Sequence, residues 1–419
     1  MARTFPLLES LRLRRTPERG RGAPEERHWT GAQSLVALGL LALVSVVVGI
    51  LLGASADRLE KLGGLLLMVP AAIALQGKIF GALGSRLGTA IHAGTFRLSL
   101  RPATVVGQNI LAGLALSVVT SAVLAMLAKA TAELFNIAES MSLAAFVVIS
   151  TLGGVVSSLF VVVVALGMAA GSARFGWDPD NVTAPLVTAA ADVITLPVLL
   201  LVVPLAESAA VTGAVAIVCG AAAAVTAAGA WRLGPPSLRS ILRESFGVLV
   251  VAILFDLVAG VIVEQQEAFL GRLPSLLVLL PGYLAVGGAL GGILSSRLAS
   301  ELHLGLIEPA ALPGRDARRE VRNTFLMGLP VLAGTAALAH GAARIAGLAG
   351  PGAGGMIGSA LLGGVAAVAV ASFVAYYGTI LAERVGLDPD TYGIPLVTSA
   401  MDLVGALTLV AALAVLGIL

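Results

Sequence analysis

The chain has little charge for its length. Charged residues make up 12% of its 419 residues, whereas soluble globular proteins carry about 25%. Hydrophobic residues make up 58% of the chain, and the mean hydropathy is +0.99. Such a chain cannot cover a water-facing surface, so the sequence predicts an integral membrane protein. With a net charge of only +2, we expect no nucleic-acid partner.

Cysteine and enzyme motifs are also scarce. Cys219 is the only cysteine, which excludes an intramolecular disulfide and a metal site built from several thiolates. The sequence has no HExxH, GxSxG or GxxxxGK[ST] motif, so we expect neither an enzyme nor an organic cofactor. One enzymatic alternative stays open, an aspartyl protease of the presenilin type, although the Gly-x-Gly-Asp motif of that family is absent.

What the chain does have is a series of long apolar runs. A helix needs about 20 apolar residues to cross a bilayer, and eleven runs are about that long. They lie at residues 33–54, 61–83, 104–127, 143–170, 183–203, 208–230, 245–263, 274–295, 322–343, 357–381 and 393–417. The sequence therefore predicts an all-α membrane protein with eleven transmembrane helices. The arginine-rich tail before the first run is too long for a signal peptide, so we expect that run to stay uncleaved.

Two segments of the chain repeat each other. PAAIALQGKIFGALGSRLGTAIHAG, which begins at Pro70, aligns without a gap with PGYLAVGGALGGILSSRLASELHLG, which begins at Pro281. A second pair begins with Asp-Pro-Asp, at Asp178 and at Asp388. Internal repeats in transporters commonly relate two halves that share one site. We therefore divide the chain into a basic cytoplasmic tail at 1–32, repeat A at 33–205, a linker helix at 206–232 and repeat B at 240–419.

The linker helix has a topological role. Each repeat holds five spans, so its ends lie on opposite sides of the membrane, and one extra span restores the starting side for the second repeat. The repeats should therefore be parallel, related by a pseudo-two-fold axis along the membrane normal. With the N-terminus inside, the inner segments hold 20 lysines and arginines and the outer loops hold five. This split predicts a cytoplasmic N-terminus and an exoplasmic C-terminus in the plasma or inner membrane.

The fifth span of each repeat carries an aspartate, Asp192 in repeat A and Asp402 in repeat B. A charged side chain at mid-bilayer costs about 2.5–3.5 kcal/mol, so it usually faces the protein interior and has a function. Thr188 and Thr398 lie one helical turn earlier on the same face. Two such stripes facing each other would offer oxygen ligands to Mg²⁺, which takes one or two carboxylates and keeps most of its waters. The structural alternative is a buried hydrogen bond from each aspartate to a neighbouring helix.

The start of these two spans is predicted as well. Asp178 and Asp388 suit the N-cap position, and Pro179 and Pro389 suit the first helical position. A helix that begins there places each ion-site aspartate roughly 20 Å along the axis, past the middle of a core about 30 Å thick.

Two charged residues within spans break the repeat. Lys78 in the second span has Ala289 as its counterpart, and Asp256 in the seventh span has Ser45. Asp256 is a candidate for a second cation or proton site, with a hydrogen bond in helix packing as the alternative. Lys78 could extend to the inner surface, or pair with an aspartate as an internal cation when the ion site is empty. Both residues are therefore candidates for coupling or gating.

Small and basic residues recur in the second span of each repeat. The small residues are Gly77, Gly81, Gly288 and Gly292. Their spacing favours close helix packing, and carbonyl groups exposed to a pore are the alternative. Arg86 and Arg297 fall at the inner ends of these spans. They suit positive-inside anchors, with a gating role as the alternative.

These repeats resemble the MgtE-like divalent-cation transporters, most closely the solute-carrier-type branch with two fused MgtE units. The second-span motif, a proline followed by a glycine and Ser-Arg-Leu, occurs twice, and so does Asp-Pro-Asp followed by Pro-Leu-Val-Thr and a deep aspartate. In that family the fifth-span aspartate lines the ion path at the symmetry axis, a role that the resemblance assigns to Asp192 and Asp402. The family usually has Asn after the second-span glycine, where this chain has Lys78 and Ala289.

The resemblance implies transport of a divalent cation, Mg²⁺ above all, along a path between the two repeats. Two modes stay open at this point, a passive channel and an exchanger coupled to Na⁺ or H⁺. The expected partners are the transported cation and the lipid bilayer. Since both repeats are in one chain, a monomer could form the whole path.

Overall fold

A computed structural model describes residues 24–55, 62–137, 139–176, 179–303, 307–310, 312–385 and 389–419, which are almost entirely helical. Eleven of the described helices are long and apolar enough to cross a membrane. They are α1 (Pro24–Ala54), α2 (Leu65–His92), α3 (Val105–Leu134), α4 (Leu143–Phe175), α5 (Pro179–Glu207), α6 (Ala209–Leu233), α7 (Pro236–Glu264), α8 (Ser275–His303), α9 (Arg315–Ile345), α10 (Gly352–Val385) and α11 (Pro389–Val415). The predicted all-α class and the eleven spans are confirmed. Most of the predicted tail, residues 1–23, lies outside the described residues.

The two helices that carry Asp192 and Asp402 begin where the sequence predicts. α5 begins at Pro179 and α11 begins at Pro389. Proline suits this position because its fixed φ is already helical and because the first N–H groups of a helix have no partner within it. Asp178 and Asp388, the predicted caps, lie outside the described residues. Both helices then run unbroken past the predicted ion-site aspartates.

The first helix of each repeat packs against the other repeat. α1 contacts α8 and α9 of repeat B, together with α5 of its own repeat. α7 makes the equivalent set of contacts, with α2 and α3 of repeat A and with α11. The described parts of the two repeats therefore interlock. This exchange brings residues of α7 beside residues of α2, which hydropathy alone does not predict.

Single side chains show that the two exchanges are equivalent. Arg86 on α2 donates from Nη2 to the hydroxyl oxygen of Ser245 on α7, at 2.8 Å. Arg297 on α8 donates from Nη2 to the hydroxyl oxygen of Ser34 on α1, at 3.3 Å. The two serines are related by the same offset in the sequence as the two arginines. Both predicted arginines thus join a second helix to the first helix of the other repeat.

The linker helix α6 lies at the periphery of the bundle. Only 17% of its apolar window is buried, the lowest share among the eleven helices. Its main contacts are with α3 and α4, both in repeat A. It therefore acts as a connector and leaves the centre of the bundle to the ten helices of the repeats.

Candidate functional site

A cavity of about 240 Å³ lies where six helices of the two repeats meet. These helices form three equivalent pairs: α1 with α7, α2 with α8, and α5 with α11. Most of the lining is apolar. Its polar side chains come from Ser45, Lys78, Ser85, Thr188, Asp192, Asp256, Ser296, Thr398 and Asp402. The cavity thus brings together both predicted aspartates, both predicted threonines and the two charged residues that break the repeat.

α2 packs closely on α5 through two glycines. A β-carbon added at Gly77 would lie 3.0 Å from Cγ2 of Thr188 and 3.5 Å from Oδ1 of Asp192. A β-carbon added at Gly81 would lie 2.8 Å from Oγ1 of Thr188. The Thr188 hydroxyl also donates to the carbonyl oxygen of Gly77, at 3.4 Å. The absent side chains let α5 present its threonine and aspartate to the cavity directly against the backbone of α2.

The equivalent contact in repeat B is looser. A β-carbon added at Gly288 would lie 3.6 Å from Cβ of Thr398, which is an ordinary van der Waals distance. Gly292, like the other three predicted glycines, lines the cavity. The glycines therefore combine close packing with a position at the wall of the cavity, and the contact with the threonine is closer at Gly77 than at its counterpart Gly288.

Lys78 bridges two of the aspartates. Its Nζ atom lies 2.8 Å from Oδ1 and 2.7 Å from Oδ2 of Asp256, and 3.0 Å from Oδ2 of Asp402. Its side chain is 5% exposed, so it does not extend to the membrane surface. Of the two alternatives left open by the sequence, the structure therefore shows the ion pair. The exchange of α7 makes this pair, because it brings Asp256 of repeat B beside Lys78 of repeat A.

The counterparts of this pair carry no charge. Ser45 and Ala289 occupy the positions equivalent to Asp256 and Lys78, and both line the same cavity. The hydroxyl of Ser45 is buried and has no hydrogen-bond partner among the described residues. The two repeats thus differ in charge at two positions. Lys78 and Asp256 are charged on one side of the cavity, whereas their counterparts Ala289 and Ser45 are neutral on the other.

The two predicted ion-site aspartates, Asp192 and Asp402, consequently have different surroundings. Asp402 accepts a hydrogen bond from Lys78, and its side chain is 19% exposed. Asp192 is also half-buried and lines the cavity, but within the described part of the chain no lysine or arginine forms an ion pair with it. Asp192 therefore offers a carboxylate without a competing cation at contact distance.

The structure does not bring the two predicted arginines into this cavity. Arg86 and Arg297 follow Ser85 and Ser296, which line the cavity, but the arginine side chains point to the neighbouring first helices. Arg297 also forms an ion pair with Glu320 on α9, at 3.2 Å. Both arginines hold helices together beside the cavity.

The sequence interpretation missed that Lys78 and Asp256 are partners and treated them as separate exceptions. The signal was present in the sequence. Opposite charges stand at two positions whose counterparts, Ala289 and Ser45, are both neutral. Because an unpaired charge inside a membrane is costly, two such exceptions within one repeat protein favour a contact between them.

Both repeats of the chain match the model of one known family. The family model described as MgtE, divalent cation transporter, matches residues 69–202 and 280–412. Solute carrier family 41 member 2 of Xenopus laevis is 26% identical over 275 residues, which cover 62% of this chain and 47% of the relative. For member 2 of Homo sapiens the identity is 25% over 265 residues, 61% of this chain and 45% of the relative. Member 3 of Rattus norvegicus is 27% identical over 262 residues, 59% of this chain and 54% of the relative.

The chain spans about half the length of these curated relatives. No solved structure matches it significantly. The two segments matched by the family model together cover more than half of the chain. One contains Asp192 and the other contains Asp402, so each repeat contributes one of the aspartates that line the cavity. The chain is a multi-pass membrane protein and belongs to the MgtE family of divalent cation transporters.

Proposed function

We propose that this chain carries Mg²⁺ through the cavity between its repeats, and that Asp192 and Asp402 are the carboxylates that meet the ion. The observation that carries the proposal is that equivalent aspartates of the two repeats line one cavity, in a chain of a divalent cation transporter family. Thr188 and Thr398 line the same cavity and add neutral oxygens. Carboxylate and hydroxyl oxygens are the hard ligands that suit Mg²⁺.

The ion keeps most of its waters in this site. In the described part of the chain, no three His, Cys, Asp or Glu side chains are grouped closely enough to hold a metal ion directly. The cavity has a volume of about 240 Å³. On the same measure a cavity needs roughly 10–15 Å³ to hold one water, so this cavity has room for an ion together with its waters. Mg²⁺ gives up its waters reluctantly and is commonly held through only one or two carboxylates. A hydrated ion between two carboxylates agrees with these properties.

The proposed orientation places the N-terminus in the cytoplasm and the two repeats parallel across the plasma or inner membrane. Support comes from the 20-to-5 distribution of basic residues between the two sides and from the equivalent contacts of α1 and α7. The proposed division into repeats at 33–205 and 240–419, with a linker at 206–232, rests on the same symmetry. Because both halves of the cavity come from one chain, we propose that the monomer is the transporting unit.

We propose a carrier rather than an open channel. The ammonium group of Lys78 lies in hydrogen-bond contact with one of the two ion-site carboxylates, so the ion cannot bind both without a rearrangement. Purified protein in liposomes separates the two modes. Flux that responds to an imposed Na⁺ or H⁺ gradient at zero voltage indicates an exchanger, whereas flux that follows only the Mg²⁺ gradient and the potential indicates a channel.

The decisive experiment removes the two carboxylates. Mg²⁺ uptake into liposomes is measured with a trapped fluorescent indicator for wild type, for Asp192→Asn, for Asp402→Asn and for the double variant. Glu133→Gln is a matched control, because this exposed acid pairs with Lys129 on α3, away from the cavity. We expect flux to be lost in the double variant and preserved in the control.

Wild-type flux in the double variant would overturn the proposal. The same liposomes, tested with Mn²⁺, Co²⁺, Zn²⁺ and Ca²⁺, measure selectivity. Preference for a softer cation such as Zn²⁺ over Mg²⁺ would contradict a site that holds a hydrated ion through hard oxygens.

A further inference from the structure

We propose that Lys78 is a tethered cation that occupies Asp402 when no dication is bound, and that an entering dication displaces it from Asp402 but not from Asp256. This inference rests on the proposed transport function and adds a competitor that is built into the chain. It makes the two ion-site carboxylates unequal, because Asp192 is open to the dication from the start.

The contacts of Lys78 allow this exchange. An ammonium group has three N–H donors. Asp256 receives contacts at both of its carboxylate oxygens, at 2.8 Å and 2.7 Å, whereas Asp402 receives one contact, at 3.0 Å. The four-carbon stem of lysine is flexible. Lys78 can therefore leave Asp402 through a small change in its side-chain torsions while Asp256 keeps its charge paired.

Exposure decides which carboxylate the dication can reach. The side chain of Asp256 is 2% exposed, whereas that of Asp402 is 19% exposed. A hydrated ion in the cavity can approach Asp402 with its waters in place, but it would have to lose them to reach Asp256. The competition between Lys78 and the dication therefore takes place at Asp402, and Asp256 remains with Lys78.

The charge of the site shows that the pair is not needed to balance one dication. Its ionisable lining residues are three aspartates and Lys78, which together carry a charge of −2 when all are ionised. Removing Lys78 and Asp256 together leaves two aspartates and the same charge of −2. The pair therefore changes competition at one carboxylate without changing the total charge that the ion meets.

A purely structural ion pair would not require the contact with Asp402. Lys78 is already neutralised by the two oxygens of Asp256. Its third contact connects it to a residue of the ion site on a different helix, α11. A structural role predicts altered stability on replacement of the pair, whereas a competing cation predicts an altered Mg²⁺ affinity, and these two quantities can be measured separately.

The repeat suggests a variant that separates a structural role of the pair from competition with Mg²⁺. Lys78→Ala/Asp256→Ser gives these positions the residue types found at Ala289 and Ser45, so no charge is left unpaired. Mg²⁺ dependence of uptake is measured in liposomes, and thermal unfolding is measured in detergent. A site that is free for only part of the time binds its ligand more weakly in proportion to the free fraction. If Lys78 occupies Asp402 for about nine-tenths of the time, its removal lowers the half-saturating Mg²⁺ concentration by about tenfold.

Two results would overturn the inference. One is an unchanged half-saturating Mg²⁺ concentration in a folded, transporting pair variant, and the other is loss of flux in a folded pair variant. If that variant does not fold, Lys78→Gln/Asp256→Asn replaces it, since it keeps similar shapes and hydrogen-bonding groups without charge, and the same fall must appear. None of these outcomes depends on the Asp192→Asn/Asp402→Asn test, which alone decides whether the aspartates carry the ion.

The reciprocal variant tests the same inference in the opposite direction. Ala289→Lys/Ser45→Asp places a second ammonium–carboxylate pair on the neutral side of the cavity, near the open carboxylate of Asp192. We expect the half-saturating Mg²⁺ concentration to rise by about tenfold if the new ammonium group occupies Asp192 for about nine-tenths of the time. A folded reciprocal variant with wild-type Mg²⁺ dependence would contradict a competing ammonium as the reason for the inequality.

Discussion

The two sides of the cavity are built from equivalent helices but hold different side chains. On one side, Asp402 is bound by Lys78, which Asp256 also holds. On the other side the counterparts of the pair are Ala289 and Ser45. A dimer of identical subunits would have the same residues on both sides of its axis. A duplicated chain is free of that restriction, and here the difference in charge between the two sides of the cavity comes from two positions, Lys78 and Asp256, whose counterparts are neutral.

The comparison shows why the two exceptions occur together. A buried ion pair that loses one partner leaves an uncompensated charge, which is strongly destabilising. Lys78 without Asp256, or the reverse, would therefore weaken the bundle. The two departures from the repeat, Lys78 and Asp256, are therefore physically linked across the α2–α7 interface. That interface exists because the first helix of each repeat packs against the other repeat.

The largest expected effect is on the free energy of unfolding, and it tests whether the Lys78–Asp256 ion pair must be kept or removed as a whole. Lys78→Ala leaves Asp256 buried at 2% exposure without its cation. We expect a loss of about 3–5 kcal/mol in the free energy of unfolding, and recovery of most of it in Lys78→Ala/Asp256→Ser. The measurement is chemical or thermal unfolding in detergent.

Ser45→Ala is the matched control for that experiment, because Ser45 is the counterpart of Asp256 and its hydroxyl has no hydrogen-bond partner among the described residues. We expect this control to stay close to wild-type stability, since no bond is broken. Equal losses in the control and in Lys78→Ala would remove the proposed energetic difference between the two sides.

Much of this arrangement was predictable from the sequence, and the rest was not, for physical reasons. Eleven spans follow from the apolar runs, because the bilayer sets a minimum helix length. The repeat offset related Asp192 to Asp402. Hydropathy, however, does not say which helix packs on which, so the exchange of α1 and α7 was not predicted. That exchange decides where Lys78 points, because its long stem could have reached the inner surface.

The arginines illustrate the same limit. Their position at the inner ends of α2 and α8 allowed either an anchoring or a gating interpretation. The structure gives Arg86 and Arg297 serine partners on the first helices of the opposite repeats. Those partners lie far away in the sequence, and a serine in an apolar run carries no signal of its partner. The contacts therefore could be read only from the packing.

The second prediction ranks Asp192 and Asp402, the two proposed ion-site aspartates. Asp192→Asn removes the carboxylate that has no lysine or arginine at contact distance among the described residues, whereas Asp402→Asn removes one that accepts a hydrogen bond from Lys78. Loss of a residue that merely orients a metal ligand costs about 10–100-fold. Loss of a carboxylate that meets the ion should reach the upper end of that range, so we expect Asp192→Asn to lower Mg²⁺ flux by about 100-fold and Asp402→Asn by about tenfold. Initial uptake rates at low Mg²⁺ concentration check this order.

The double variant Lys78→Ala/Asp256→Ser sharpens that ranking. With the tethered ammonium removed, the surroundings of the two aspartates become similar, so Asp192→Asn and Asp402→Asn made in this background should lower the flux equally. A ranking that persisted there would mean that something other than Lys78 makes the two sides different.

The third prediction concerns the glycines behind each aspartate. Gly77→Ala places a β-carbon 3.0 Å from Cγ2 of Thr188, and Gly288→Ala places one 3.6 Å from Cβ of Thr398. The first must displace a threonine that lines the cavity, whereas the second fits an ordinary contact. Overpacking typically costs 1–3 kcal/mol, so we expect Gly77→Ala to lose about 1 kcal/mol of stability and several-fold in flux. Gly288→Ala should stay near wild type in both assays.

The smallest expected effects are at the Arg–Ser contacts, and they test how far the difference between the halves extends. Ser245→Ala removes the 2.8 Å hydrogen bond from Arg86, and Ser34→Ala removes the 3.3 Å bond from Arg297. A hydrogen bond contributes about 0.5–1.5 kcal/mol and weakens as it lengthens, so we expect a loss of about 1 kcal/mol for Ser245→Ala and less for Ser34→Ala. Thermal unfolding checks the values. Neither variant should change the half-saturating Mg²⁺ concentration, since neither serine lines the cavity. A change would mean that the contacts of the first helices with the opposite repeat affect ion binding in the cavity.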